Sequence, residues 1–300
     1  MPQGLLYLDD ALPALWQVEL TCQEDFRALW AREGERFAAR RVLEQQLAQA
    51  LPAQAETRLP AFCAVCGAYR ALIYDHNYAG PGAVNWRERL LCPDCGLNNR
   101  QRLALHWAAS RPTNAEPRIY ATEQTTAVAG ALRARYRYFI GSEYLGPEWT
   151  SGRTNATGIR HEDVTALSLP DQSVDWVLSF DVLEHVPDYR RALCEFQRVL
   201  ALGGTLLLTM PMALGEASNV VRATFTDAGK ILHHMEPEYH GDPVNPDGGI
   251  LCFYHFGWQI LDDLAAAGFL FPRIVLNWSL DYGYLGNEQV LIVAENVRAD

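Results

Sequence analysis

The spacing of apolar positions changes character along the chain. In the first sixty residues it is helical. Glu24-Asp25-Phe26-Arg27-Ala28-Leu29-Trp30 and Arg41-Val42-Leu43-Glu44-Gln45-Gln46-Leu47 place apolar side chains three and four positions apart. Ala53 to Pro60 then reads as a linker. Helix returns from Asn99 to Ala109 and stops at Arg111-Pro112, because proline cannot continue it. From about residue 117 short apolar runs alternate with helices. Strands are predicted at Arg118–Ala121, Tyr138–Ser142, Val174–Phe180, Thr205–Met210, Ile274–Leu276 and Gln289–Val293. Helices are predicted at Ala127–Tyr136, Tyr189–Leu200 and Asp262–Ala267. Such alternation predicts an α/β fold with a mostly parallel sheet covered on both faces. Ligands then belong at the carboxyl ends of the strands.

Composition narrows the function classes. The 300 residues are 49% hydrophobic and 20% charged, an ordinary globular balance. Against 36 acidic residues stand 25 basic ones, a net charge of −11, which weighs against a broad phosphate-binding face. No apolar run is long enough for a transmembrane helix. The opening MPQGLLYLDDALPALW lacks the basic region of a secretory signal, so the expected compartment is the cytoplasm.

Seven cysteines in such a chain point to metal or reactivity before disulfides. Four form two CxxC pairs, Cys63-Ala-Val-Cys66 and Cys92-Pro-Asp-Cys95, each followed by a glycine, Gly67 or Gly96. Two such turns can complete a tetrahedral S4 shell for a structural Zn2+. Two redox pairs, or four unrelated buried thiols, are the alternatives. Cys22, Cys194 and Cys252 have no comparable company.

Three blocks in order carry a family resemblance. They are His161 to Leu178 (HEDVTALSLPDQSVDWVL), Ser179 to Asp188 (SFDVLEHVPD) and Arg198 to Leu206 (RVLALGGTL). Together they resemble a class I S-adenosylmethionine-dependent methyltransferase of the type 11-like kind, preceded by a CxxC/CxxC zinc knuckle. The resemblance implies a doubly wound, seven-stranded Rossmann-like sheet after a helical region and a small zinc module. It divides the chain into residues 1–60, 61–111 and 112–300, with a substrate loop at about 211–256.

The same resemblance assigns roles. Asp163 would accept from the adenine amino group, with the Val164 amide beside it. Glu143 would hold the ribose hydroxyls. Phe180 and Asp181 would face the sulfonium and its methyl. Glu184 and His185 are expected to pack and cap. The chain departs from the family after the first strand, where a glycine-rich loop is usual. It reads Ala121-Thr122-Glu123-Gln124-Thr125-Thr126, with Gly130 arriving only inside the helix. Thr122, Glu123, Gln124 and Thr125 are therefore the expected cofactor contacts, and a helix N-terminus still favours an anion. A domain that had lost its cofactor would also show such a loop.

Residues 233 to 255 hold His233, His234, His240 and His255, four of the eight histidines. His240, oriented by Asp242, is the candidate general base. A second metal site there has no regular ligand spacing to recommend it. The expected acceptor is a small-molecule or glycan oxygen or nitrogen. RNA is the runner-up, because the knuckle region carries Arg87, Arg89, Arg100 and Arg102. A zinc-stabilised, non-catalytic scaffold is the third reading.

Overall fold

Strand Val174–Phe180 forms because its β-branched and aromatic residues can be buried on both faces, as a central parallel strand requires. The computed structural model describes residues 14–51, 56–80, 82–111, 115–241 and 248–297. In order these give β1 (Trp16–Leu20), α1 (Gln23–Gln49), β2 (Thr57–Cys63), β3 (Ala68–Tyr74), α2 (Asn99–Ala109), β4 (Arg118–Ala121), α3 (Ala127–Arg135) and β5 (Tyr138–Gly141). There follow β6 (Val174–Phe180), α4 (Tyr189–Val199) and β7 (Leu200–Thr209). Short strands β8 (Val220–Val221), β9 (Ala223–Phe225), β10 (Ile231–His233), β11 (Tyr239–His240), β12 (Ile250–Leu251) and β13 (Tyr254–His255) pair locally. The chain closes with α5 (Gln259–Ala266), β14 (Leu270–Ser279) and β15 (Tyr284–Asn296).

The main sheet has seven strands in the order β1-β14-β15-β7-β6-β4-β5. β5, β4, β6 and β7 run parallel. β15 is antiparallel to both β7 and β14, and β1 is antiparallel to β14. The expected seven-stranded, Rossmann-like sheet is thus present, with three corrections. It is mixed and not mostly parallel, since three of its six pairings are antiparallel. The seventh strand is β1, from the region read as helical. The predicted linker Ala53–Pro60 overlaps β2, which pairs with β3 as a hairpin. Before Asp163 there is only a single parallel bridge, Glu143 to His161.

Alternation along the strands splits the core into two layers. Tyr120, Val177, Leu206 and Leu208 pack with α4, α5 and the start of α1. Ile119, Ala121, Trp176, Leu178 and Leu207 pack with α2 and α3. Both faces are therefore covered, as a parallel sheet demands. A third cluster joins the β2–β3 hairpin to Leu285 of β15. Among the described residues no helix is long and apolar enough to cross a membrane.

Candidate active site

The strand order reverses between β4 and β6: α3 leads from β4 to β5 on one side, α4 from β6 to β7 on the other. Ligands of open α/β sheets bind at such a switch point, beyond the carboxyl ends of the strands. Four carboxylates gather there. Glu123 follows β4, Glu143 follows β5, Asp163 follows the Glu143–His161 bridge, and Asp181 follows β6.

Glu143 is buried, and its Oε1 accepts three bonds of 2.8 Å, from the backbone amides of Gln124 and Thr125 and from Thr125 Oγ1. It thereby ties the loop after β4 to the end of β5. The loop has no glycine, but Gly141 lies opposite: a Cβ there would stand 2.6 Å from the Glu123 carbonyl oxygen. The close approach that the sequence seemed to forfeit is made from the neighbouring strand. Gln124 reaches across to the Gly158 carbonyl and the Arg160 amide, each at 2.8 Å. Thr122 is turned under the loop, donating to Ser179 Oγ at 3.0 Å. Thr126 caps α3 by accepting from the Ala129 amide. Asp163 Oδ1 accepts from Thr165 N and Oγ1, fixing the loop that contains the half-buried Val164. Phe180 is buried in the core layer under α2 and α3.

Asp181 has a left-handed backbone, φ 53°, an unusual conformation for a residue with a Cβ. Its Oδ2 accepts from Thr209 Oγ1 at 2.9 Å. Two arginines that sequence reasoning placed elsewhere complete its shell. Arg87 pairs with Oδ1, and Arg100, in the first turn of α2, pairs with Oδ2 at 2.5 Å. Burial alone would raise the Asp181 carboxyl, but the guanidiniums of Arg100 and Arg87 outweigh it and hold it at about 2. Glu123 goes the other way. Burial pushes it up to about 7, despite the Thr126 hydroxyl and the Arg100 charge.

The same arginines bear on the RNA expectation. Arg102 is fully buried, donating to the Tyr282 and Gly283 carbonyls, and Arg89 pairs with Asp75. All four knuckle arginines therefore make internal contacts.

The four sulfurs come together as expected. Cys63 and Cys95 are 3.8 Å apart, Cys66 and Cys92 3.7 Å, and all four lie within 4.8 Å of one another. Sulfurs about 2.3 Å from a tetrahedral ion stand about 3.8 Å apart. Gly67 and Gly96 take φ of +65° and +70°, the turn geometry their positions suggested.

On the other side of Asp181 the chain makes a single 3₁₀ turn, Leu183–His185. Here His185 and His240 meet at 3.1 Å, and Glu238 bonds both His240 Nε2 (2.9 Å) and His255 Nε2 (3.1 Å to Oε2). Glu184 is completely buried beside them, and burial pushes its carboxyl well above the usual range. The segment from β8 to β13 thus delivers His240 and His255 to one cluster, while His233 and His234 stay exposed. Asp242 lies outside the described residues, and Glu238 makes the contact expected of it. Neither Glu184 nor Glu238 was legible as a site residue.

Residues 126–208 match the protein family described as a methyltransferase domain. That stretch resembles a methyltransferase domain. A protein of Mycolicibacterium smegmatis, named a probable S-adenosylmethionine-dependent methyltransferase, is 45% identical over 53 residues, 18% of this chain and 21% of that one. An uncharacterized methyltransferase of Mycobacterium sp. strain JLS is 31% identical over 157 residues, 50% of this chain and 62% of that one. The chain thus spans less than two thirds of either relative. Among solved structures, an S-adenosylmethionine-dependent methyltransferase from Mesorhizobium loti is 18% identical over 64% of this chain and 97% of its own, with a TM-score of 0.38. The matched stretch of the methyltransferase domain runs from the cap of α3 to the end of β7. It contains Glu143, Asp163 and Asp181.

Proposed function

We propose that this chain transfers a methyl group from S-adenosylmethionine to an oxygen or nitrogen of a small-molecule or glycan acceptor. The observation that carries the reading is the crevice beyond β4, β5 and β6, lined by Glu123, Glu143, Asp163 and Asp181, the last three within the stretch that matches a methyltransferase domain. The residues suit the cofactor. All three Glu143 bonds fall on Oε1, which leaves Oε2 for a ribose hydroxyl. Asp163 uses Oδ1 for its own turn, which leaves Oδ2 for the adenine amino group. Thr126 caps α3 at this crevice, and a helix N-terminus favours an anion such as the cofactor's carboxylate.

When bound, the cofactor supplies an electrophilic methyl. The protein's part is alignment of acceptor and methyl and a place for the acceptor's proton. The cluster of Glu184, His185, His240, Glu238 and His255 takes the second role, one turn beyond Asp181. The Cys63, Cys66, Cys92 and Cys95 sulfurs are proposed to hold one structural Zn2+, since four protein ligands leave no open position. RNA as acceptor is disfavoured by the inward arginines and the charge of −11.

Calorimetric titration with S-adenosylhomocysteine tests the reading. Glu143→Ala and Asp163→Ala should each weaken binding by roughly 1 to 3 kcal/mol without unfolding the protein. Absence of binding by the wild-type chain at millimolar ligand would leave the scaffold reading in its place. Metal analysis tests the zinc: Cys63→Ser should lower both zinc content and thermal stability, because the ion's binding energy is partly folding energy.

A further inference from the structure

Glu184, His185 and His240 present three ligand atoms that converge within 4.8 Å of one another. His185 Nδ1 lies 2.9 Å from the Leu251 carbonyl, which can only accept, so that nitrogen carries a proton and Nε2 is the nitrogen turned toward His240. His240 Nε2 lies 2.9 Å from the Glu238 carboxylate, so there too the proton points outward and Nδ1 keeps its lone pair. The other two ring nitrogens, His185 Nε2 and His240 Nδ1, face each other at 3.1 Å. Glu184 Oε1 stands 3.9 Å from the first and 3.8 Å from the second, too far to be bonded to either. Both Glu184 carboxylate oxygens are buried with no hydrogen-bond partner, at 0% side-chain exposure. An unpartnered buried carboxylate is costly unless something of opposite charge meets it.

From this we infer that Glu184, His185 and His240 form a binding site for a divalent transition-metal ion, separate from the cysteine site. Ligands about 2.1 Å from a shared ion stand roughly 3.0–3.9 Å apart for bond angles from about 90° to about 135°. The three observed separations of 3.1, 3.8 and 3.9 Å fall in that range. The outer contacts are those that metal-bound histidines characteristically make, one to a backbone carbonyl and one to a carboxylate. Two imidazoles and one carboxylate suit Zn2+, Fe2+, Co2+ or Mn2+ and leave coordination positions open. His240 is about one-third exposed, so the open side faces the solvent from which an acceptor arrives.

The site deepens the proposed function and, as an activity, rests on it. Held there, the ion would make an acceptor hydroxyl acidic enough to release its proton near neutral pH to the Glu238–His255 side of the cluster as the oxygen takes the methyl. That chemistry favours an oxygen acceptor. In this role His240 holds the ion and is not itself the base.

The test is metal binding by the full chain with its cysteine site already zinc-loaded. Titration with Co2+, followed by visible absorption and calorimetry, should show one further equivalent. Its ligand-field bands should come without the thiolate charge-transfer band of a cysteine site. Glu184→Gln and His240→Ala should each weaken this binding at least tenfold while cysteine-bound zinc stays at one equivalent. Glu238→Gln should weaken it about 10- to 100-fold, the range for a lost outer contact. Glu184→Gln conserves shape and His240 is partly exposed, so circular dichroism should show both variants folded. Absence of the further equivalent, as two histidines sharing a proton would give, overturns the site. So does binding unchanged in both variants. Cofactor binding is measured separately. Ion binding without S-adenosylhomocysteine binding would keep the site and remove the methyl-transfer reading.

Discussion

Glu123 and Asp181 face the same crevice, yet their environments push them in opposite directions. Asp181 is clamped by two guanidiniums and stays charged to about pH 2. Glu123 has no such partner within bonding distance, and burial raises it to about 7. A carboxyl raised from 4.5 to about 7 stabilises the fold fully below the unfolded value. That contribution is lost as pH rises through about 7. The shift corresponds to about 3 kcal/mol as an upper bound. Urea unfolding at pH 5 and pH 8 should therefore show wild type losing stability relative to Glu123→Gln as pH rises. A constant difference across that interval would contradict the assignment. The four cysteines were legible from their CxxC turns, and Glu143 and Asp163 from the family resemblance that marks those strand ends. Arg87 was not, since its partner Asp181 lies 94 positions away and only the folded chain brings them together.

Whole elements were more legible than their edges. β4, β6 and α2 fall where the apolar pattern put them, while β7 begins five residues before its predicted start at Thr205. β1 was missed because five residues, Trp-Gln-Val-Glu-Leu, gain strand geometry from pairing with β14 and carry little pattern of their own. Glycine position separates two substitutions at this scale. Gly141→Ala drives a Cβ into the backbone of Glu123 and Gln124, so the loop must shift. It should cost about 1 to 3 kcal/mol in stability and weaken cofactor binding with it. Gly130→Ala, inside α3 with nothing within 4 Å, should instead stabilise by about 0.5 to 1 kcal/mol. Thermal denaturation of the pair distinguishes a glycine needed for approach from one that is merely tolerated.

For the whole molecule, charge and arginine placement point the same way. A chain at −11 whose knuckle arginines face inward should bind RNA no better than about 10⁻⁴ M at physiological salt, the weak end of non-specific association. A salt titration of fluorescent RNA measures this. A steep salt slope at micromolar affinity, lost on Arg87→Gln with Arg100→Gln, would restore the RNA reading.

The Arg87–Asp181–Arg100 clamp has a wider consequence. Arg87 precedes the second CxxC pair by five residues and Arg100 follows it by five, so the segment that turns around Cys92 and Cys95 is anchored at both ends on the floor of the crevice. Two ligands that order one shared segment are thermodynamically linked, and the linkage is reciprocal: each must tighten the other by the same factor. Stripping the thiolate-held ion with a chelator should lower S-adenosylhomocysteine affinity, and saturating S-adenosylhomocysteine should slow the stripping. On the proposed function, a protein stripped of that ion would hold the methyl donor less tightly, so that donor occupancy would follow metal supply.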